Sequence, residues 1–162
     1  MGFNYNDALS AFLILFAVID ILGSIPIIVS LRKKVGHVQS EKATLVAGAI
    51  MIVFLFLGER ILHLLGVDVQ SFAIAGSFVL FFLALEMILG ITLYKEESPH
   101  TASIVPIAFP MIAGAGTMTS LVSLRAEFAT INIIIAIILN MVVVYAVLKN
   151  TERIERIMGA GG

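Results

Sequence analysis

This chain of 162 residues has no cysteine and no tryptophan, and only 13% of its residues are charged. The missing cysteine excludes disulfides, thiol nucleophiles and Cys metal sites. The missing tryptophan leaves any interfacial aromatic belt to three tyrosines and the charged flanks. A soluble domain carries about 25% charged residues, so the low charge argues against one. With a net charge of −1 and no basic tail, nothing points to a nucleic-acid partner. Met1 to Asp7 has no basic stretch and no small-residue cleavage site follows, so no cleavable signal is expected. Ser, His and Asp form no nucleophile motif, and His37, His63 and His100 lack ligand spacing. Neither an enzyme nor a metal or cofactor site is therefore expected.

Apolar sequence is abundant instead. Hydrophobic residues make up 60% of the chain, and the mean hydropathy is +1.09. About 20 apolar residues make one helical membrane span. Five such stretches occur, at 8–31, 43–57, 69–93, 103–124 and 128–148. The second is the shortest and is expected to continue through Glu59 and Arg60 into 61–65. No dyad alternation of barrel strands is visible, so the expected fold is an all-α transmembrane helix bundle. With the N-terminus outside, eight basic residues fall on the cytoplasmic side: Arg32, Lys33, Lys34, Lys42, Lys95, Lys149, Arg153 and Arg156. Arg60 and Arg125 fall outside, so the positive-inside rule places the N-terminus out and the C-terminal tail in the cytoplasm.

Two of the apolar stretches are broken alike. The first runs Asp20-Ile21-Leu22-Gly23-Ser24-Ile25-Pro26 and continues to Ser30-Leu31-Arg32. The second runs from Pro110 through Gly114-Ala115-Gly116-Thr117-Met118-Thr119 to Ser123-Leu124-Arg125. A shift of 93 positions carries Gly23 onto Gly116 and Arg32 onto Arg125. Three spans per half make this an inverted-topology repeat within a single domain of 1–162. The halves are 1–93 and 94–162, and the second is expected to be one helix short. Paired Gly/Pro-interrupted segments of this kind point to the binding site of a transporter.

Several residues in these segments can carry chemistry. Asp20 lies near the middle of a span, where insertion costs about 2.5–3.5 kcal/mol. It either binds a cation, a proton or a substrate ammonium, or it caps the unwound backbone at 23–26. Pro26 removes a helical hydrogen bond, and Gly23 lets the backbone open beside it. Gly114 and Gly116 permit close backbone approach, with the hydroxyls of Thr117, Thr119 and Ser120 where a new half-helix begins. Such an N-terminus suits a carboxylate, although small residues also serve plain helix packing. Glu86 can relay a proton or snorkel toward the interface. Asn132 and Asn140 can bond between helices, and Asn140 is the deeper site candidate. Gly76 and Ser77 are expected to allow tight packing in span three.

Asp20-x-x-Gly23-x-x-Pro26, Ile74-Ala75-Gly76 with Leu85-Glu86-Met87, and Phe109-Pro110 through Thr119 together resemble the MarC family. The resemblance covers essentially the whole chain. It implies a bacterial or archaeal inner-membrane protein of about six spans, grouped with LysE-like exporters. Some members look like transporters of small neutral amino acids such as glycine and alanine, driven by an ion gradient. This chain departs from the pattern in three ways. Ile21 stands where the family has Pro after Asp, and Ala115 stands where it has Pro between glycines. A final Gly-rich helix, which the family pattern implies, is expected to be absent.

The resulting expectation is secondary transport of a small neutral amino acid or similar polar metabolite. Asp20, Gly23, Pro26, Gly114, Gly116, Thr117, Thr119, Glu86 and Asn140 would form the site, with H+ or Na+ as coupling ion. The bilayer, the solute and a second copy of the chain are the expected partners. The rival expectation is a non-transporting membrane scaffold or accessory subunit.

Overall fold

The computed structural model describes residues 2–35, 38–68 and 103–158, with isolated positions between 70 and 89. Among the described residues all regular structure is helical. The order is α1 (Tyr5–Ile19), α2 (Ile25–Val35), α3 (Ser40–Leu64), π1 (Ser103–Ile112), α4 (Ala115–Glu127) and α5 (Thr130–Met158). The expected third span at 69–93, with Gly76, Ser77 and Glu86, lies outside the described residues apart from scattered helical positions.

Local chemistry sets the boundaries. The Asn4 side chain accepts from the Asn6 N–H at 2.9 Å and caps α1. The Asn4 N–H donates to Asn132 Oδ1 at 3.0 Å, which ties the start of α1 to α5. α3 runs unbroken through Glu59 and Arg60, as the sequence suggests. It stops at Gly66, whose left-handed φ of 68° lets Val67 N–H turn back to the Leu62 carbonyl at 2.9 Å. The first span is two helices, and its break at 20–24 closes before Pro26. Pro26 therefore sits in the first turn of α2, where a missing N–H costs nothing. The stretch 103–112, which contains Pro106 and Pro110, is wound as a π-helix and ends in the Ala113 N–H to Ala108 carbonyl bond of 3.0 Å.

Small residues fill the contacts between helices. Ala11, Ala43, Ala47, Ala108 and Ala136 are fully buried beside Leu15, Met51, Ile107 and Ile133. Backbones can approach closely there, as in membrane bundles. Large apolar side chains point outward instead: Leu45 is 74% exposed and Val142 60%. An apolar exterior of this extent suits a hydrocarbon or protein-covered environment. Two helical stretches, Ser40–Gly58 and Thr130–Thr151, are each long and apolar enough to cross a membrane, while α1 is a shorter apolar helix. Hydrogen bonds fix the helix directions. Asn132 meets Asn4 and Asn140 meets Phe12, both 128 residues apart, so α1 and α5 run parallel. Glu41 at the start of α3 meets Tyr145 and Lys149 late in α5, so α3 and α5 run antiparallel.

Candidate functional site

The first break is built by Asp20. Its backbone takes φ 44° and ψ 50°, a left-handed conformation that Asp tolerates better than most side chains, and its N–H bonds to the Phe16 carbonyl to close α1. The carboxylate then accepts from the Gly23 N–H at 3.1 Å, while the Asp20 carbonyl accepts from the Ser24 hydroxyl at 2.9 Å and the Ser24 N–H at 3.0 Å. One residue thus satisfies most of the polar groups freed by the interruption. The capping role weighed for Asp20 is present. Asp20 and Gly23 are also exposed, so the second carboxylate oxygen can face a ligand. A Cβ at Gly23 would overlap the Asp20 carboxylate, which explains why this position lacks a side chain.

The second break leaves a helix N-terminus. Gly114, buried and extended (φ −87°, ψ −179°), precedes α4 and offers no side-chain cap. The first i→i−4 bond of α4 joins Met118 N–H to the Gly114 carbonyl at 2.9 Å. The N–H groups of Ala115, Gly116 and Thr117 lie ahead of it, at the positive end of the helix dipole. Pro110 packs so closely that a Cβ at Gly114 would strike its carbonyl oxygen. The threonine hydroxyls are committed to backbone. Thr117 Oγ1 donates to the Ile112 carbonyl at 2.8 Å and Thr119 Oγ1 to Ala115 at 2.7 Å. Thr117 is buried at 2% exposure, so its hydroxyl braces the break rather than opening onto a cavity.

The two breaks come together through Gly116. A Cβ there would stand 3.2 Å from Val18 Cγ1, two residues before Asp20. Asp20 and the start of α4 are therefore neighbours, while Pro26 lies a turn into α2. Asn140 is not part of this group. Buried at 1%, it donates to the Phe12 carbonyl at 3.2 Å and the Ala136 carbonyl at 2.9 Å. Phe12 precedes Asp20 by eight residues, about 12 Å along a helix. Asn132, with Oδ1 on Asn4 N–H and Nδ2 3.4 Å from Asp7 Oδ2, is an anchor of the same kind. Glu86 lies outside the described residues. No cluster of metal-ligating side chains occurs among the described residues. In the sequence Arg125 stands as an outer charge and as the end of the second Ser-Leu-Arg triplet, with no partner assigned. Its Nη1 donates to the Leu55 and Phe56 carbonyls of α3 at 2.8 and 3.2 Å. The signal was the recurring Ser-Leu-Arg triplet.

A broken apolar helix beside an uncapped half-helix is joined by a direct sequence match. Residues 5–162 match the family described as MarC family integral membrane protein. The chain belongs to the MarC family. Among its relatives is the UPF0056 inner membrane protein YhgN of Escherichia coli K12, 30% identical, with 97% of this chain and 84% of the relative covered. A UPF0056 membrane protein of Methanocaldococcus jannaschii is 28% identical over 89% of this chain and 78% of its own length. One from Buchnera aphidicola is 31% identical over 79% of this chain, and this MarC protein spans 65% of that relative's length. No solved structure matches. The match establishes an integral membrane protein and bears out the resemblance drawn from the motifs.

Proposed function

We propose that this MarC protein is a secondary transporter of a small neutral amino acid or similar polar metabolite, built as an inverted repeat of five spans. The observation that carries the repeat is the crossing of α3 and α5. The shift of 93 takes the end of α1 at Ile19 onto the end of π1 at Ile112, and 40–64 of α3 onto 133–157 within α5. It also takes Gly48 onto Met141. These equivalent positions touch, since a Cβ at Gly48 would lie 3.2 Å from Met141 Cγ. Contact between equivalent positions of two antiparallel helices supports a two-fold axis there. Because α3 and α5 are antiparallel, that axis lies across the helices, which in a bilayer means the membrane plane and inverted topology.

The chemistry of the breaks supports a zwitterionic ligand. The exposed carboxylate of Asp20 suits an ammonium or a coupling cation, and the N-terminus of α4 suits a carboxylate. The test is uptake of labelled glycine and alanine into proteoliposomes under imposed proton and sodium gradients, with Asp20→Asn alongside. Gradient-driven uptake lost in Asp20→Asn supports the proposal. A folded protein with no gradient-driven uptake of either solute turns the reading toward the scaffold alternative.

A further inference from the structure

The two-fold relation pairs every seam between helices with a counterpart, and among the described residues two pairs are unequal: α4 on α1 against α2 on π1, and more weakly α4 on α5 against α2 on α3. The seam of α1 on α5 corresponds to that of π1 on α3, and both are formed. The seam of α4 on α3 corresponds to that of α2 on α5, and both are formed. The seam of α4 on α1 is formed too, closed at Gly116 and Val18. Its counterpart, α2 on π1, is at most a point contact among the described residues. An inverted repeat that rocks between two states needs this asymmetry, because exchanging the open seam for the closed one generates the other state.

The unequal seams lie at opposite ends of the bundle. α4 runs to the end marked by Asn4 and Asn132, and α2 runs to the end marked by Glu41 and Lys149. Leu22, just before α2, is 54% exposed, and Phe109 on π1 is 40% exposed. Arg125 holds the sealed end. Its charged Nη1 bonds carbonyls of α3 in addition to the helix's own hydrogen bonds. A cavity of about 330 Å³ lined by Phe54, Leu55, Val122, Arg125 and Ala126 leaves α4 room to shift against α3.

We infer that this structure is open toward the Lys149 end, with α4 as the gate of the opposite end and Arg125 as the residue that positions the gate. The inference rests on the transporter reading but is measured without any substrate. The chain has no cysteine, so Leu22→Cys supplies a single thiol. A charged, membrane-impermeant maleimide is applied to vesicles of each orientation, identified by a protease-cleavable C-terminal tag. Leu22→Cys is expected to label from the Lys149 end about tenfold faster than from the Asn4 end, the ratio of a two-state population biased by one charge-assisted hydrogen bond. Adding Arg125→Gln is expected to raise labelling from the Asn4 end roughly tenfold, and Arg125→Lys to keep it near the native level. Faster labelling from the Asn4 end, equal labelling from both ends, or labelling from neither overturns the open state. An unchanged ratio in folded Arg125→Gln overturns the role of Arg125. Should that variant not fold, Val18→Cys with Gly116→Cys tests the seam. Rapid disulfide formation under mild oxidant supports it, and failure to cross-link overturns it. Labelling as expected without uptake of any solute would leave the gate standing and sink the transport reading alone.

Discussion

At the residue scale, Asp20 holds two roles that substitution can separate. Asparagine also tolerates the left-handed backbone and keeps an oxygen for the Gly23 N–H. Asp20→Asn should therefore stay folded while losing the charge, whereas Asp20→Ala should also lose about 1 kcal/mol with the cap. Thermal unfolding in detergent of the two variants against the native chain checks the split, and equal loss in both would show that the charge itself stabilises the break. Asp68 offers a case outside the spans. Its carboxylate accepts from the Ser71 N–H and hydroxyl, both at 2.7 Å. The backbone N–H of Ser71, then its hydroxyl, holds the Asp68 carboxyl below the usual range. A depressed folded value means stability present above the unfolded value near pH 4 and lost as pH falls through the folded one. The stability gap between native and Asp68→Ala protein should narrow between about pH 5 and pH 2. A gap that widens on acidification would contradict this.

At the element scale, apolar stretches and charge gaps in the sequence located the helices, but the breaks followed finer rules. Asp20 and Gly23 marked the first interruption, yet Pro26 misplaced it. Proline alone does not say whether it breaks a helix or opens the next one, and here Ser24 and the Asp20 carboxylate had already finished the turn. The π-helix of 103–112 was not legible, because i→i−5 winding has no residue signature beyond the prolines it accommodates. The hydroxyls of Thr117 and Thr119 were legible as polar groups, but not their return to the Ile112 and Ala115 carbonyls. Gly114 tests this description of the second break. Its missing side chain is what lets α4 start directly against the Pro110 carbonyl. Gly114→Ala should cost about 1–3 kcal/mol by overpacking and pull α4 off Val18. Loss of Val18–Gly116 cross-linking in that background would register the shift, and unchanged stability would mean that the break relaxes around a methyl group.

At the scale of the whole molecule, the shift of 93 was readable from glycines and the Ser-Leu-Arg triplets, but its axis was not. No residue pattern announces which equivalent positions touch; that follows from packing. Gly48 and Met141 supply that point for the proposed repeat, and they make it testable without a substrate. Met141 is flexible and can yield to a small intrusion, so Gly48→Ala should cost less than about 1 kcal/mol. Gly48→Leu cannot be absorbed so easily and should cost about 1–3 kcal/mol by forcing α3 from α5. Met141→Ala alone removes packing and destabilises modestly, but combined with Gly48→Leu it opens the space that leucine needs. The double variant should then be more stable than Gly48→Leu alone, giving a favourable coupling of about 0.5–3 kcal/mol in a double-mutant cycle. Additive effects would mean that the two positions do not meet. The proposed two-fold axis would then lose the direct contact that supports it among the described residues, and the proposed inverted repeat would rest on matching helix boundaries alone.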